Sequence, residues 1–150
     1  MLSAVDSFVT HLSTALGSPL VLPVVFLRQD ATNPQSGRLQ MNTLNVRILT
    51  ADRTGSMESI FVSLDILGND ERQAWGWAEA TQLALASLMI PEYDYATSPA
   101  TPLGLNRQVS WTDDDLAFRV VSFTTRGVNT AASAHLIHLN LTMDLSHAWR

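Results

Sequence analysis

The chain has no cysteine and no lysine among its 150 residues. Without cysteine there is no disulfide, no thiolate nucleophile and no thiolate metal ligand, and intracellular folding is expected rather than secretion. The nine basic residues are therefore all arginines, and the formal net charge is −5. An acidic chain without a basic run carries no electrostatic footprint for nucleic acid. Arginine without lysine reflects either codon usage or a contact surface, where arginine is enriched and lysine depleted. Charged residues are also scarce, 15% of the chain against the usual ~25%. A surface partly covered by partners and a low-charge enzyme both fit that scarcity. No basic segment precedes an apolar run at the N-terminus, so no signal peptide is expected. The most apolar early stretch, Leu20 to Leu27, contains Pro23 and is too short to span a bilayer.

Chemical motifs are missing as well. There is no Gly-rich phosphate loop, GxSxG elbow, HExxH pair or dinucleotide fingerprint, and no heptad or longer repeat. No catalytic residue, cofactor or metal is expected from the pattern, and the chain reads as a non-enzyme.

What is present centres on Ser59 to Ile90. Ile60, Val62, Leu64 and Ile66 alternate with Phe61, Ser63, Asp65 and Leu67, the period of a strand with one fully apolar face. Gly68 and Asn69 break it. Asp70, three residues before Gln73, has capping-box spacing, and Glu71 suits the positive end of a helix dipole. Ala74, Ala78, Thr81, Leu85 and Leu88 then recur at helical spacing, with Pro91 as the stop. Trp75, Gly76 and Trp77 are read as a glycine allowing close packing beside an indole that caps the core; an indole acting as a contact anchor is the alternative.

Around this pair the chain reads in order. Ser3 to Leu16 is a helix capped by Ser3, with Val5, Phe8, Val9, Leu12 and Leu16 as its stripe and His11 beside it. Gly17 and Pro19 stop it. Val21 to Arg28 is a strand with Pro23 near its start or on an edge. Gln29 to Gln40 is a long exposed loop, either a contact segment or a disordered one. Thr43 to Thr50 and Glu58 to Leu67 are strands joined by a loop over Ala51 to Met57. Pro91 to Gly104 is a connection with a short strand around Tyr93 to Ala96. Arg107 to Thr112 and Leu116 to Thr125 form a hairpin around Asp113, Asp114 and Asp115, a solvated turn lacking the spacing of a calcium loop. Arg126 to Ser133 is a polar loop, and Ala134 to Asp144 is the last strand. Its alternation puts His135 and His138 on opposite faces, which excludes a shared metal. His147 to Arg150 is either a disordered end or a hook for a neighbour.

The sum is one α+β domain over residues 1–150: a mostly antiparallel or mixed sheet of about five to six strands built from hairpins, with two helices packed on one face. The order of elements, and above all IFVSLDILGNDERQAWGWAEATQLA with the closing pair FRVVSFTTRGV and AHLIHLNLTM, resembles the tail terminator (tail completion) proteins of long-tailed bacteriophages. The resemblance implies a structural virion protein: a homo-oligomeric ring, usually a hexamer, assembled in the host cytoplasm and sitting at the head–tail junction. There it would stop tail-tube polymerisation and meet tube protein on one side and head-completion or neck protein on the other. No nucleic-acid or membrane partner is expected. The family offers no catalytic residues, so the interface candidates come from chemistry alone: Arg38 in the long loop, Arg53 at the hairpin tip, and Trp149 with Arg150 at the tail. Another head–tail joining protein shares this ring logic. A small cellular ligand-binding domain, or an enzyme using Asp65, His138 or the Asp113 to Asp115 turn, stands as the alternative from a different class; those residues share neither a motif nor an expected common face.

Overall fold

The computed structural model describes residues 2–17, 22–27, 32, 38–54, 57–86, 88–111, 117–124 and 131–147. They form two helices, α1 (Leu2–Ala15) and α2 (Glu71–Ala84), and seven strands: β1 (Val24–Phe26), β2 (Thr43–Thr54), β3 (Met57–Gly68), β4 (Met89–Asp94), β5 (Thr101–Trp111), β6 (Ala117–Thr124) and β7 (Ala131–His147). The fold is α+β, as the patterning predicts. The strands make one curled mixed sheet in the order β1-β2-β3-β7-β5-β4. Only β1 runs parallel to its neighbour, and β6 lies off the path, paired to β7.

β7 is the hinge of this topology. It pairs with β3 along one side, and on the other side with β6 over its first half and β5 over its last. Among the described residues β5 and β6 do not pair as the expected hairpin: each pairs with β7, and the pairing of chain neighbours is β6–β7, with Thr124 opposite Ala131. Sequence proximity favoured the wrong partner because nothing local distinguishes one alternating neighbour from the next. The acidic turn, Asp113 to Asp115, and the polar loop 126–130 lie outside the described residues, as does most of Gln29 to Gln40.

The core lies between the helices and one sheet face. Ile60, Val62, Leu64 and Ile66 of β3 stand opposite Met143, Leu141, Leu139 and Ile137 of β7, and all are buried. Leu44 and Val46 extend the layer in β2, and Val5, Phe8, Leu12 and Leu16 bring α1 down on it. Each such side chain contributes roughly 1.5–3 kcal/mol by leaving water, and this layer holds the fold together.

Several local expectations change in the three-dimensional setting. Helix α1 already includes Ser3, whose hydroxyl donates to Glu92 Oε2 (3.3 Å) across to β4 rather than capping its own helix. Asp70 does cap α2, accepting from Arg72 N (3.0 Å) and not from Gln73. The helix then ends at Ala84, well before Pro91, which sits inside edge strand β4, where a missing N–H costs no ladder bond. Gly76 is exposed, with nothing within 4 Å of the site of an added Cβ, so it does not serve close packing. That part falls to Gly68: a Cβ there would lie 3.3 Å from Ala74 Cβ and 3.5 Å from the Trp77 ring. Trp77 is the buried indole over the core. β2 and β3 run on past the expected loop, pairing through Thr54 opposite Met57, because Ala51 to Thr54 continue the extended backbone. The strand expected over Val21 to Arg28 contracts to the three residues of β1, where Pro23 precedes it and offers its carbonyl to Leu44 N.

Candidate functional site

Strand alternation sends Ser63, Asp65 and Leu67 of β3 to the face away from the helices. That face is covered too. Asn42, in the left-handed region at φ 52°, turns the chain so that residues 39–41 fold back over it. Leu39 and Met41 pack against Leu67 and Leu136, a second small apolar cluster. Gln40 clasps Asn45 through both backbone groups: its N–H donates to Asn45 Oδ1 (2.9 Å), and its carbonyl accepts from Asn45 Nδ2 (3.1 Å).

Beneath this cover runs a polar row fixed by register. Asn45 pairs with Asp65, and Asp65 pairs with His138. Asp65, at 4% exposure, gathers three donors. His138 Nδ1 lies 2.6 Å from its Oδ1, while Ser63 Oγ and Arg47 Nη2 each donate to Oδ2 at 3.1 Å. A buried carboxylate is tolerable only when satisfied in this way. Arg47 and His138 keep their outer parts in solvent, with side chains 44% and 26% exposed.

This row corrects the sequence reading that denied Asp65 and His138 a common face. Residues from different strands share a face whenever the register aligns them, and that register is decided by long-range pairing. The array is still no hydrolase triad. Ser63 Oγ meets the same imidazole nitrogen as Asp65, at 3.2 Å, whereas a nucleophilic serine needs the opposite ring nitrogen. Ser63 is also 1% exposed. Chemically the row can tie β2, β3 and β7 together and present a guanidinium and an imidazole edge at the surface. His135 stands opposite Gly68 in the unbroken ladder, three positions from His138. Among the described residues no group of three His, Asp or Glu side chains could hold a metal ion.

A second polar group lies on the helix side. Arg107 occupies a core-facing position of β5, 3% exposed. Its Nε donates to Glu92 of β4, its Nη2 to Glu58 Oε1 (2.9 Å), and its Nη1 to the Glu58 carbonyl (3.2 Å). With Ser3 on Glu92, this cluster joins α1, β3, β4 and β5. Partial burial pushes the Glu58 carboxyl up, but the Arg107 hydrogen bond and the charges of Arg107 and Arg53 outweigh it and hold Glu58 below the ordinary glutamate range. The unfolded chain then binds a proton on this group at higher pH than the folded one. Its stabilising contribution is complete above about pH 4.5 and is lost as pH falls through the folded value. Urea titrations from about pH 7 to about pH 3 should show Glu58→Gln losing less stability on acidification than the unmodified protein.

Sequence reasoning passed over Arg107, Glu92 and Glu58. The available signal was an arginine in step with Leu105 and Val109, since a cation at an apolar-parity position needs a buried partner. Of the expected interface residues, Arg38 is exposed ahead of the clasp and Arg53 is exposed on β2 opposite Glu58; Trp149 and Arg150 lie outside the described residues. The structure shows no contact joining Arg38 to Arg53.

Among the described residues a cleft of about 200 Å³ lies between α1 and β4, lined by Thr10, His11, Thr14, Pro91, Tyr93 and Tyr95 among others. His11 Nε2 lies 3.3 Å from the Ala84 carbonyl at the end of α2. No described helix is long and apolar enough to cross a membrane. In comparisons with known proteins, no family model and no curated sequence matches the chain.

Proposed function

We propose that this protein is a structural virion component of the tail-terminator type: a closed homo-oligomeric ring, of about six subunits, that caps a phage tail tube, halts its growth and offers its far side to a head-completion or neck protein. The observation that carries the reading is how the described polar side chains are used. The buried charged groups are spent on internal ties, Asp65 on three donors and Arg107 on two carboxylates. Exposed large apolar side chains among the described residues, meanwhile, sit at separate places: Leu49 and Met57 on the β2–β3 hairpin, Leu83 at the end of α2, and Met89, Tyr95 and Leu103 around β4 and β5. A ring closing by rotation needs two different patches on each subunit, and no reaction centre. The order α1, β1, the β2–β3 hairpin and α2 supports the reading as well.

Light scattering over a concentration series, with negative-stain images of the largest species, tests the reading. Rings of about six subunits with an open centre are expected, alone or on addition of tail tubes. Tubes that keep growing in the presence of the protein, with no species attached to their ends, would remove the terminator function.

A further inference from the structure

Helix α2 turns Ala74, Trp77, Ala78 and Thr81 into the core, so its opposite side faces solvent. The outermost line of that side is Arg72, Gly76, Glu79 and Leu83, all exposed and spaced by four, three and four residues. Alternation of three and four is the spacing of a seam between two helices. Three features of this line have no use within the subunit. A Cβ on Gly76 would meet nothing within 4 Å, so no neighbour requires a glycine there, although glycine weakens a helix interior. Arg72 and Glu79 have no oppositely charged residue three or four positions away, and no ion pair among the described residues uses either. Leu83 is 78% exposed, the most of any large apolar side chain among the described residues.

We propose that this face is a two-fold contact between copies of the chain: the α2 helices of two subunits cross antiparallel at Gly76, with Arg72 of each bonded to Glu79 of the other. The face is its own complement, which is why the occupant is a second copy. Arg72 lies about one turn before Gly76 and Glu79 about one turn after it. A two-fold axis beside Gly76 therefore brings each guanidinium level with the opposite carboxylate. A parallel crossing would set like charge against like, so charge selects the antiparallel one. With no side chain on either glycine, the two backbones can approach closely at the crossing. Each Leu83 is then carried toward the start of the other helix and out of water. The contact does not rest on the ring reading. It is isologous, so it pairs subunits and leaves ring closure to other surfaces.

A single helix crossing is a small interface, so pairing is expected with a roughly micromolar dissociation constant. Sedimentation equilibrium across that range reads it. Arg72→Glu and Glu79→Arg should each weaken pairing by about tenfold or more, because each sets like charges together at two places. The protein carrying both reversals should return to within about threefold of the unmodified one. Gly76→Leu separates the contact from folding: the space around the position is open, so the urea midpoint should hold or rise while the pair is lost. Single reversals without effect, a double reversal that fails to restore pairing, or a Gly76→Leu protein that still pairs would each overturn the contact. So would an unmodified protein that stays monomeric, or that passes from monomer to ring with no paired species. None of these results bears on tail-tube capping, which decides the ring reading on its own.

Discussion

Arg107→Met is expected to lower the unfolding free energy by about 3–5 kcal/mol, among the largest effects of any single substitution in the chain. The guanidinium is almost fully buried and answers two carboxylates, Glu92 on β4 and Glu58 on β3. Methionine fills similar volume but leaves Glu92, at 3% exposure, with the Ser3 hydroxyl as its one side-chain partner among the described residues. A buried carboxylate without a cation must either protonate or draw water inward, and both outcomes cost stability. The cluster joins strands that are not all neighbours, so the damage should reach α1 and the β4 edge together. Urea denaturation should show a lower midpoint with an unchanged slope. Adding Glu58→Gln and Glu92→Gln to Arg107→Met should recover much of the loss, because neutral amides no longer demand a counter-charge. Failure to recover would mean that Arg107 contributes mainly by packing its aliphatic stem.

Asp65→Ala should cost about 2–3 kcal/mol, in the range for hydrogen bonds to a charged group. It is smaller than the Arg107 effect because the stranded partners, Arg47 and His138, can turn to solvent. Double-mutant cycles should rank those partners. Coupling of Asp65 to His138 is expected at about 1–2 kcal/mol, and coupling to the more exposed Arg47 below about 1 kcal/mol. An equal ranking, or a negligible His138 coupling, would show that the dyad is not the tie between β3 and β7. The same variants speak to function. If Asp65 and His138 are structural, their loss should lower ring stability in parallel with subunit stability and leave no separate activity to account for.

Much of the fold was legible in the residues because it depends on local periodicity. The alternation of Ile60 to Leu67, the stripe from Val5 to Leu16 and the Asp70 cap each follow from a short-range rule, and each holds. Pro91 shows where such rules run out. A proline after an amphipathic run reads as a helix stop, but the helix had already ended at Ala84, and the proline marks an edge strand. Gly76 and Gly68 are the same kind of case. A glycine between two tryptophans looks like a packing site, yet only the spatial approach of Ala74 and Trp77 shows that Gly68 is the crowded position.

The candidate site was less legible. Asp65 and His138 lie far apart in sequence, and no spacing rule links a residue of one strand to a residue of another. The β3–β7 register, which places Asp65 opposite His138 and Gly68 opposite His135, is set by burying Ile60 to Ile66 against Ile137 to Met143 as one layer. A slip of one residue would turn that whole set out of the core. Arg107 likewise reads as an ordinary strand cation until Glu58 and Glu92 converge on it.

By itself, then, the sequence determined the class of the protein: an acidic, cysteine-free α+β chain whose strands and helices are written in their own periodicity. Tertiary structure alone decided which strands pair, that β7 serves three neighbours, and that the buried charged side chains Asp65, Glu92 and Arg107 are drawn into two internal ties. Periodicity is a property of neighbours in the chain and needs no partner to be read. Pairing and charge burial are properties of residues brought together by the whole core, and they exist only once that core has formed.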